Sequence, residues 1–111
     1  EMTVVGHNTA TIRESLLEKA FELGEKFIEA SKEHYDPGIV GPFCLQTCID
    51  KDMNYYIYDV APRLGGGTNV HVSVGHPYGN ATWRKPMSSG RRIAMELRMA
   101  AEQDRLLEVL T

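Results

Sequence analysis

Residues 43–50 and 55–61, FCLQTCID and YYIYDVA, are two strand-forming runs separated only by KDMN. Aromatic and β-branched residues dominate the second run, and such residues suit a pleated, half-buried surface. So short a connection leaves no room for a crossover, so the strands must turn back as an antiparallel hairpin over about 41–61. The turn pair Asp52-Met53 contains no glycine and is a weak turn signal. If the hairpin closes tightly on that pair, Asp50 faces Tyr55, Cys48 faces Ile57, Gln46 faces Asp59 and Cys44 faces Ala61. Directly opposed side chains share a face, with Cβ atoms about 4.5–5.5 Å apart. Gln46 and Asp59 are then a polar pair on an otherwise apolar face. Two oxygen ligands at that spacing can hold one Mg²⁺, a cation that takes carboxylate, carbonyl, water and phosphate oxygens. From spacing alone, a hydrogen bond from Asp59 to the following turn, with Gln46 as its neighbour, is the simpler account of the pattern.

The rest of the chain supplies helices. Thr11 and Glu14 have capping-box spacing. Ile12, Leu16, Leu17, Ala20, Leu23, Phe27 and Ile28 form one apolar stripe, which predicts a helix over about 12–34. Gly24 interrupts it at modest cost and would let another element approach closely. Asp36-Pro37-Gly38 ends it with turn chemistry. Residues 62–87 are irregular, with VHVSV (70–74) as a short strand, and five of the ten glycines fall between 65 and 79. A loop this long in a small domain is usually functional or poorly ordered. Its GGGT segment fits a turn that needs positive φ, or a loop whose bare N–H groups approach an anion. Ser88 or Ser89 then caps a second helix over about 89–109, with Ile93, Ala94, Leu97, Ala101, Leu106, Leu107 and Leu110 on its buried side. The order helix, hairpin, loop, helix predicts an α+β fold with two helices against an antiparallel sheet.

Composition narrows the function. The chain has 111 residues, enough for one compact domain or a piece of a larger one. Glu1 precedes Met2, so the chain reads as a fragment of a longer polypeptide. A net charge of −3 argues against a nucleic-acid binder, and so against the RNA-stacking sheet that Tyr55, Tyr56 and Tyr58 would otherwise suggest. No apolar run approaches the roughly 18–20 residues of a membrane span. Cys44 and Cys48, four apart on one strand, are roughly 13 Å from each other, too far for a disulfide. Free thiols point to a reducing, cytoplasmic setting. Their spacing, with no second Cys/His pair nearby, is a poor zinc signal. His34 and His71 read as structural or exposed, His76 as a loop histidine with a structural hydrogen bond or as one facing a cleft and suited to proton transfer, and Trp83 and Tyr78 as packing residues or an oligomer contact. Arg91 and Arg92 stand in the first turn of a helix, where the dipole disfavours cations; they read as solvated, or as meeting an anion or a partner subunit.

Several ordered motifs nonetheless resemble a known family. IRESLLEKAFELGEKFIEASKE (12–33), GPFCLQT (41–47), IYDVAPR (57–63), GGTN (66–69), PY (77–78) and KPMSSGRRIA (85–94) look like the C-terminal part of an ATP-grasp ligase. The similarity is to the archaeal formate-dependent formaminoimidazole-carboxamide ribonucleotide synthetases of purine biosynthesis, and it covers residues 1–111 almost completely.

The resemblance implies an ATP-grasp C-terminal subdomain and a ligase that forms a C–N bond. ATP would phosphorylate formate to formyl phosphate, and the amine of aminoimidazole-carboxamide ribonucleotide would displace the phosphate. The family's two metal positions fall on Gln46 and Asp59, for Mg²⁺ or Mn²⁺. Arg63 matches the arginine that follows the metal acid and would hold a phosphate or the acyl phosphate. Gly66, Gly67, Thr68 and Asn69 would shape the loop beside the reacting groups, with ATP as co-substrate. His7 falls near a position that lines the nucleotide-substrate pocket. The adenine-binding segment would lie in the N-terminal remainder, so the isolated fragment is expected to be inactive; a homo-oligomer is expected. Many ATP-grasp enzymes carry glutamate at both metal positions and asparagine two residues after the second. Here those positions hold Gln46, Asp59 and Ala61, which favours, as alternatives, a non-catalytic nucleotide-binding or assembly domain or a paralogous ligase with another acceptor.

Overall fold

The computed structural model describes residues 2–8, 10–68 and 83–110. The segment VHVSV and residues His71, His76 and Tyr78 lie outside them. The chain divides into two compact units, residues 11–65 and residues 1–10 with 66–111.

The first unit holds a helix and a hairpin. A 3₁₀ turn at Glu14–Leu16 leads into helix α1, Leu17–His34. The expected capping box does not form: Arg13 takes the cap position in extended conformation, and no side chain caps the turn. The entry is instead fixed from a distance, because the Tyr55 hydroxyl donates to the Leu16 carbonyl at 3.0 Å. Leu16 is buried, while α1 itself buries no residue fully. Its apolar stripe is half-sunk, with the Phe27 ring 4.8 Å from that of Phe43 at the entry to the hairpin. A Cβ at Gly24 would meet nothing within 4 Å, so the expected close approach of another element is absent among the described residues. At the far end, Ser31 Oγ donates to the Ile28 carbonyl and accepts from the Ile39 N–H, tying the helix terminus to the outgoing chain. Gly38, at φ 91°, provides the left-handed turn there.

The hairpin pairs strand β1, Cys44–Ile49, with strand β2, Tyr55–Ala61, in a two-stranded antiparallel sheet. Its loop is wider than expected. Asp50 and Asn54 bond across it, and Met53 adopts φ 63°. This is the three-residue loop in which a turn is followed by a left-handed residue. Asp50 organises it: its carboxylate accepts from the Asp52 and Asn54 N–H groups at 2.9 Å each, from Asn54 Nδ2 at 3.1 Å and from the Tyr56 hydroxyl at 3.1 Å. A side chain on a left-handed residue costs about 1–2 kcal/mol. Met53→Gly is therefore expected to stabilise the hairpin by about 1 kcal/mol, less what the freer unfolded chain takes back. A urea midpoint that stays put or falls would contradict this.

The donors on Asp50, the Asn54 N–H foremost, hold its carboxyl below its ordinary value of 3.8. The ionised form is the one the fold prefers. Its stabilisation is therefore complete above that pH and disappears as the pH falls through the depressed folded-state value. Asp50→Ala is expected to lower the melting temperature by on the order of a few degrees near neutral pH. The gap between mutant and wild type should close in acid. Parallel thermal melts at the two pH values measure it, and equal gaps would rule the carboxylate out as the cause.

In the second unit, helix α2 runs Ser89–Glu102, with Ser88 as its cap: the Ser88 hydroxyl accepts from the Arg91 N–H at 3.2 Å. It ends earlier than the apolar pattern suggests. Asp104 turns left-handed at φ 59°, the Arg105 N–H reaches back to the Ala100 carbonyl at 2.8 Å, and the Asp104 N–H reaches Ala101 at 3.2 Å. Those two bonds are a Schellman stop, made here without glycine. A 3₁₀ turn, Leu106–Glu108, follows. Arg92 pairs with Glu96 at 2.7 Å and is half-buried, whereas Arg91 is exposed. Met87 and Ala100 are the buried apolar residues of this unit. No described helix is long and apolar enough to cross a membrane.

Candidate functional site

The strand pairing brings Gln46 and Asp59 together, by a route more elaborate than a tight turn. Near the loop the partners are Ile49 with Tyr55, Cys48 with Tyr56 and Thr47 with Ile57; beyond a register shift they are Gln46 with Asp59, Leu45 with Val60 and Cys44 with Ala61. Tyr58 is the extra residue of a β-bulge. Its effect is one of phase. In an unbroken strand Tyr55 and Asp59, four residues apart, would share a face. Because one residue is absorbed between them, Tyr55 sits on the face from which its hydroxyl reaches Leu16, and Asp59 sits on the other, with Gln46. Bulges of this kind re-aim side chains beside functional sites. The expected partners Asp50–Tyr55 and Cys48–Ile57 are corrected accordingly.

The two head groups touch: Gln46 Nε2 donates to Asp59 Oδ2 at 2.6 Å. Asp59 is exposed and Gln46 half-buried, so the pair is open to a ligand from solvent. Adjacent oxygens around an octahedral Mg²⁺ at about 2.0–2.1 Å lie roughly 2.9 Å apart, close to the spacing of these head groups. The pair fits such a cation if the Gln46 amide turns over to offer its oxygen, since its nitrogen cannot be a ligand. The fit is partial in charge. Among the described residues no group of three His, Cys, Asp or Glu side chains is placed to hold a metal. Ala61, two residues on, is buried and has no donor.

Arg63 leaves β2 exposed, its Nη1 donating to the neighbouring Leu64 carbonyl at 2.7 Å. Cys44 and Cys48 are both free thiols, on the Gln46 face by alternation.

The second unit assembles a different set. His7 lies along Gly66 and Gly67: a Cβ built on Gly66 would be 3.0 Å from its Nε2, and one on Gly67 would be 3.5 Å from its Nδ1. His7 and Gly66 are exposed; Gly67 and Thr68 are half-buried. Asn69 lies outside the described residues. The contact between His7 and the glycines escaped the sequence reading, since nothing local signals a contact across so many intervening residues. The bulge did carry a signal: Tyr55 on one face and Asp59 on the other are incompatible at even spacing.

A family profile described as "Domain of unknown function (DUF1297)" matches residues 1–111. Curated relatives match nearly the whole chain and share one name, 5-formaminoimidazole-4-carboxamide-1-(beta)-D-ribofuranosyl 5'-monophosphate synthetase. The protein of that name from Saccharolobus solfataricus is 43% identical over 108 residues, 97% of this chain and 32% of its own length. That from Methanobrevibacter smithii is 41% identical over 108 residues, 97% of this chain and 30% of its own. That from Sulfurisphaera tokodaii is 40% identical over 110 residues, 99% of this chain and 33% of its own. The chain thus spans about a third of the length of these relatives, and the resemblance read from its motifs is borne out.

Proposed function

We propose, on the premise that this chain belongs to the DUF1297 domain family, that it is the C-terminal part of a longer ATP- and Mg²⁺-dependent ligase of the ATP-grasp class. The ligase formylates aminoimidazole-carboxamide ribonucleotide with formate, in purine biosynthesis. The relatives' shared name supports the product. The observation that carries the reading for this chain is the Gln46–Asp59 contact on the open face of the hairpin, at the two positions where the resemblance puts the metal.

In this reading Asp59 supplies the one charged ligand and Gln46 a neutral oxygen. Together they would hold Mg²⁺ (or Mn²⁺), which would supply charge neutralisation for phosphoryl transfer. Arg63 exchanges its contact with the Leu64 carbonyl for a phosphate oxygen, a stronger charge-assisted partner. A formate oxygen bonds to the γ-phosphorus as ADP leaves; the acceptor amine then bonds to the formyl carbon as phosphate leaves, and the nitrogen gives up one proton to solvent. The N-terminal remainder binds adenine, and the chain alone does not turn over.

A second reading, a nucleotide-binding or assembly domain without catalysis, is favoured by one observation: Gln46 and the buried Ala61 leave a single carboxylate at the pair. One assay separates the two. The full-length protein is given Mg²⁺, ATP and aminoimidazole-carboxamide ribonucleotide, with and without formate. Formate-dependent ADP release with formylated nucleotide supports the ligase. ATP binding without turnover supports the binding domain.

A further inference from the structure

We propose that Gly66 is a positioning residue for His7, with Gly67 alongside in ordinary contact: Gly66 is bare so that the imidazole can lie against the loop. The loop thereby shapes an acceptor pocket around His7 and is not a phosphate cradle. This rests on the reading of His7 as a residue of the acceptor pocket.

Glycine is needed for one of two reasons, a backbone conformation that side chains resist or a space that a side chain would fill. The first does not apply here. Among the described glycines only Gly38 and Gly41 have positive φ, at 91° and 103°. The second does apply. A Cβ at Gly66 would meet His7 Nε2 at 3.0 Å and Cε1 at 3.4 Å, and no other described atom within 4 Å. At Gly67 the three nearest atoms are again those of His7, Nδ1 at 3.5 Å, Cγ at 3.6 Å and Cβ at 3.7 Å. The imidazole therefore runs along both glycines. By contrast, a Cβ at Gly6, Gly24, Gly41 or Gly90 would meet no described residue within 4 Å.

No hydrogen bond to a described residue anchors the His7 ring, and the glycine contact is the one the structure shows for it among the described residues. His7 is also exposed, which leaves the remainder of the ring open to a ligand. An imidazole in that setting suits a planar, hydrogen-bonding nucleobase-like ring. The two glycines differ in a way that sets the test. An added methyl at Gly66 forces the ring aside by a few tenths of an ångström; at Gly67 it makes ordinary van der Waals contact.

The test is calorimetric titration of the full-length protein with aminoimidazole-carboxamide ribonucleotide and, separately, with ATP and Mg²⁺. Gly66→Ala is expected to weaken the ribonucleotide about tenfold and leave ATP unaffected, as a displaced positioning group would. Gly67→Ala has a smaller effect. His7→Ala weakens the ribonucleotide as Gly66→Ala does, and the double mutant is no worse than His7→Ala alone, the non-additivity of residues acting as one. Weakened ATP with unchanged ribonucleotide in Gly66→Ala would overturn the proposal in favour of a phosphate cradle, and so would effects that multiply.

Should wild type bind no ribonucleotide, the acceptor assignment falls, and the seat is read from the His7 ring proton resonances alone. They are expected to shift in Gly66→Ala and hold in Gly67→Ala; unchanged resonances in both overturn it. Should Gly66→Ala fail to fold, His7→Gly in the same chain is expected to restore folding, and its failure to do so counts against the contact.

Discussion

If the full-length protein is the ligase proposed above, Asp59→Asn is expected to cut its Mg²⁺-dependent turnover by at least about 10²-fold, since even partners outside the metal's own ligand set are worth 10- to 100-fold. The fold should be untouched. Asparagine has the shape of aspartate and keeps an oxygen where Gln46 Nε2 donates at 2.6 Å, so the cross-strand hydrogen bond survives. What goes is the only carboxylate at the pair. Two neutral amide oxygens are poor competitors for a hard dication against water. ADP release titrated with Mg²⁺, beside a thermal melt, measures both halves of the expectation. Near-normal turnover at ordinary Mg²⁺ would remove Asp59 from the metal assignment.

Gln46→Glu is expected to act in the opposite direction, with a signature that depends on the cation. Without Mg²⁺ it sets two carboxylates where a hydrogen bond now holds, and like charges at such a distance raise one carboxyl's pKa and oppose the fold. With Mg²⁺ the same pair becomes a dianionic ligand set. The half-saturating Mg²⁺ concentration should fall about tenfold, which corresponds to about 1.4 kcal/mol. The mutant should melt below wild type in chelator and regain the difference when Mg²⁺ and ATP are added. A mutant whose melting ignores the cation would mean that no metal reaches the pair.

The Gln46–Asp59 pair was legible because cross-strand neighbours follow from strand pairing alone, and pairing was fixed by two recognisable runs. It was reached, however, through a turn the protein does not use. A tight turn on Asp52-Met53 and a wider loop followed by an extra residue at Tyr58 pair the same two side chains. Residue counting cannot tell them apart. The terminus of α1 at His34 was readable from Asp36-Pro37-Gly38, but that of α2 was not. There the apolar series continues to Leu110, while Asp104 accepts a left-handed conformation that glycine would have advertised. Thr11 had the spacing of a cap and was passed over, since Tyr55 holds the helix entry from the hairpin. Local spacing proposes such contacts, and tertiary partners decide them. His7 and the glycines belong wholly to the second kind.

The bulge at Tyr58 has a consequence for how this hairpin can change length over evolution. Loss of one residue between Tyr55 and Asp59 would turn the bulge into a regular ladder, with the pair still opposed and Tyr55 still on the helix side. Loss of one residue between Gln46 and the loop would instead double the mismatch and pull the pair apart. Deletions should therefore be tolerated on β2 and purged on β1. In this part of the chain an alignment gap is best read strand by strand, since the same one-residue gap is harmless on one side of the turn and ruinous on the other.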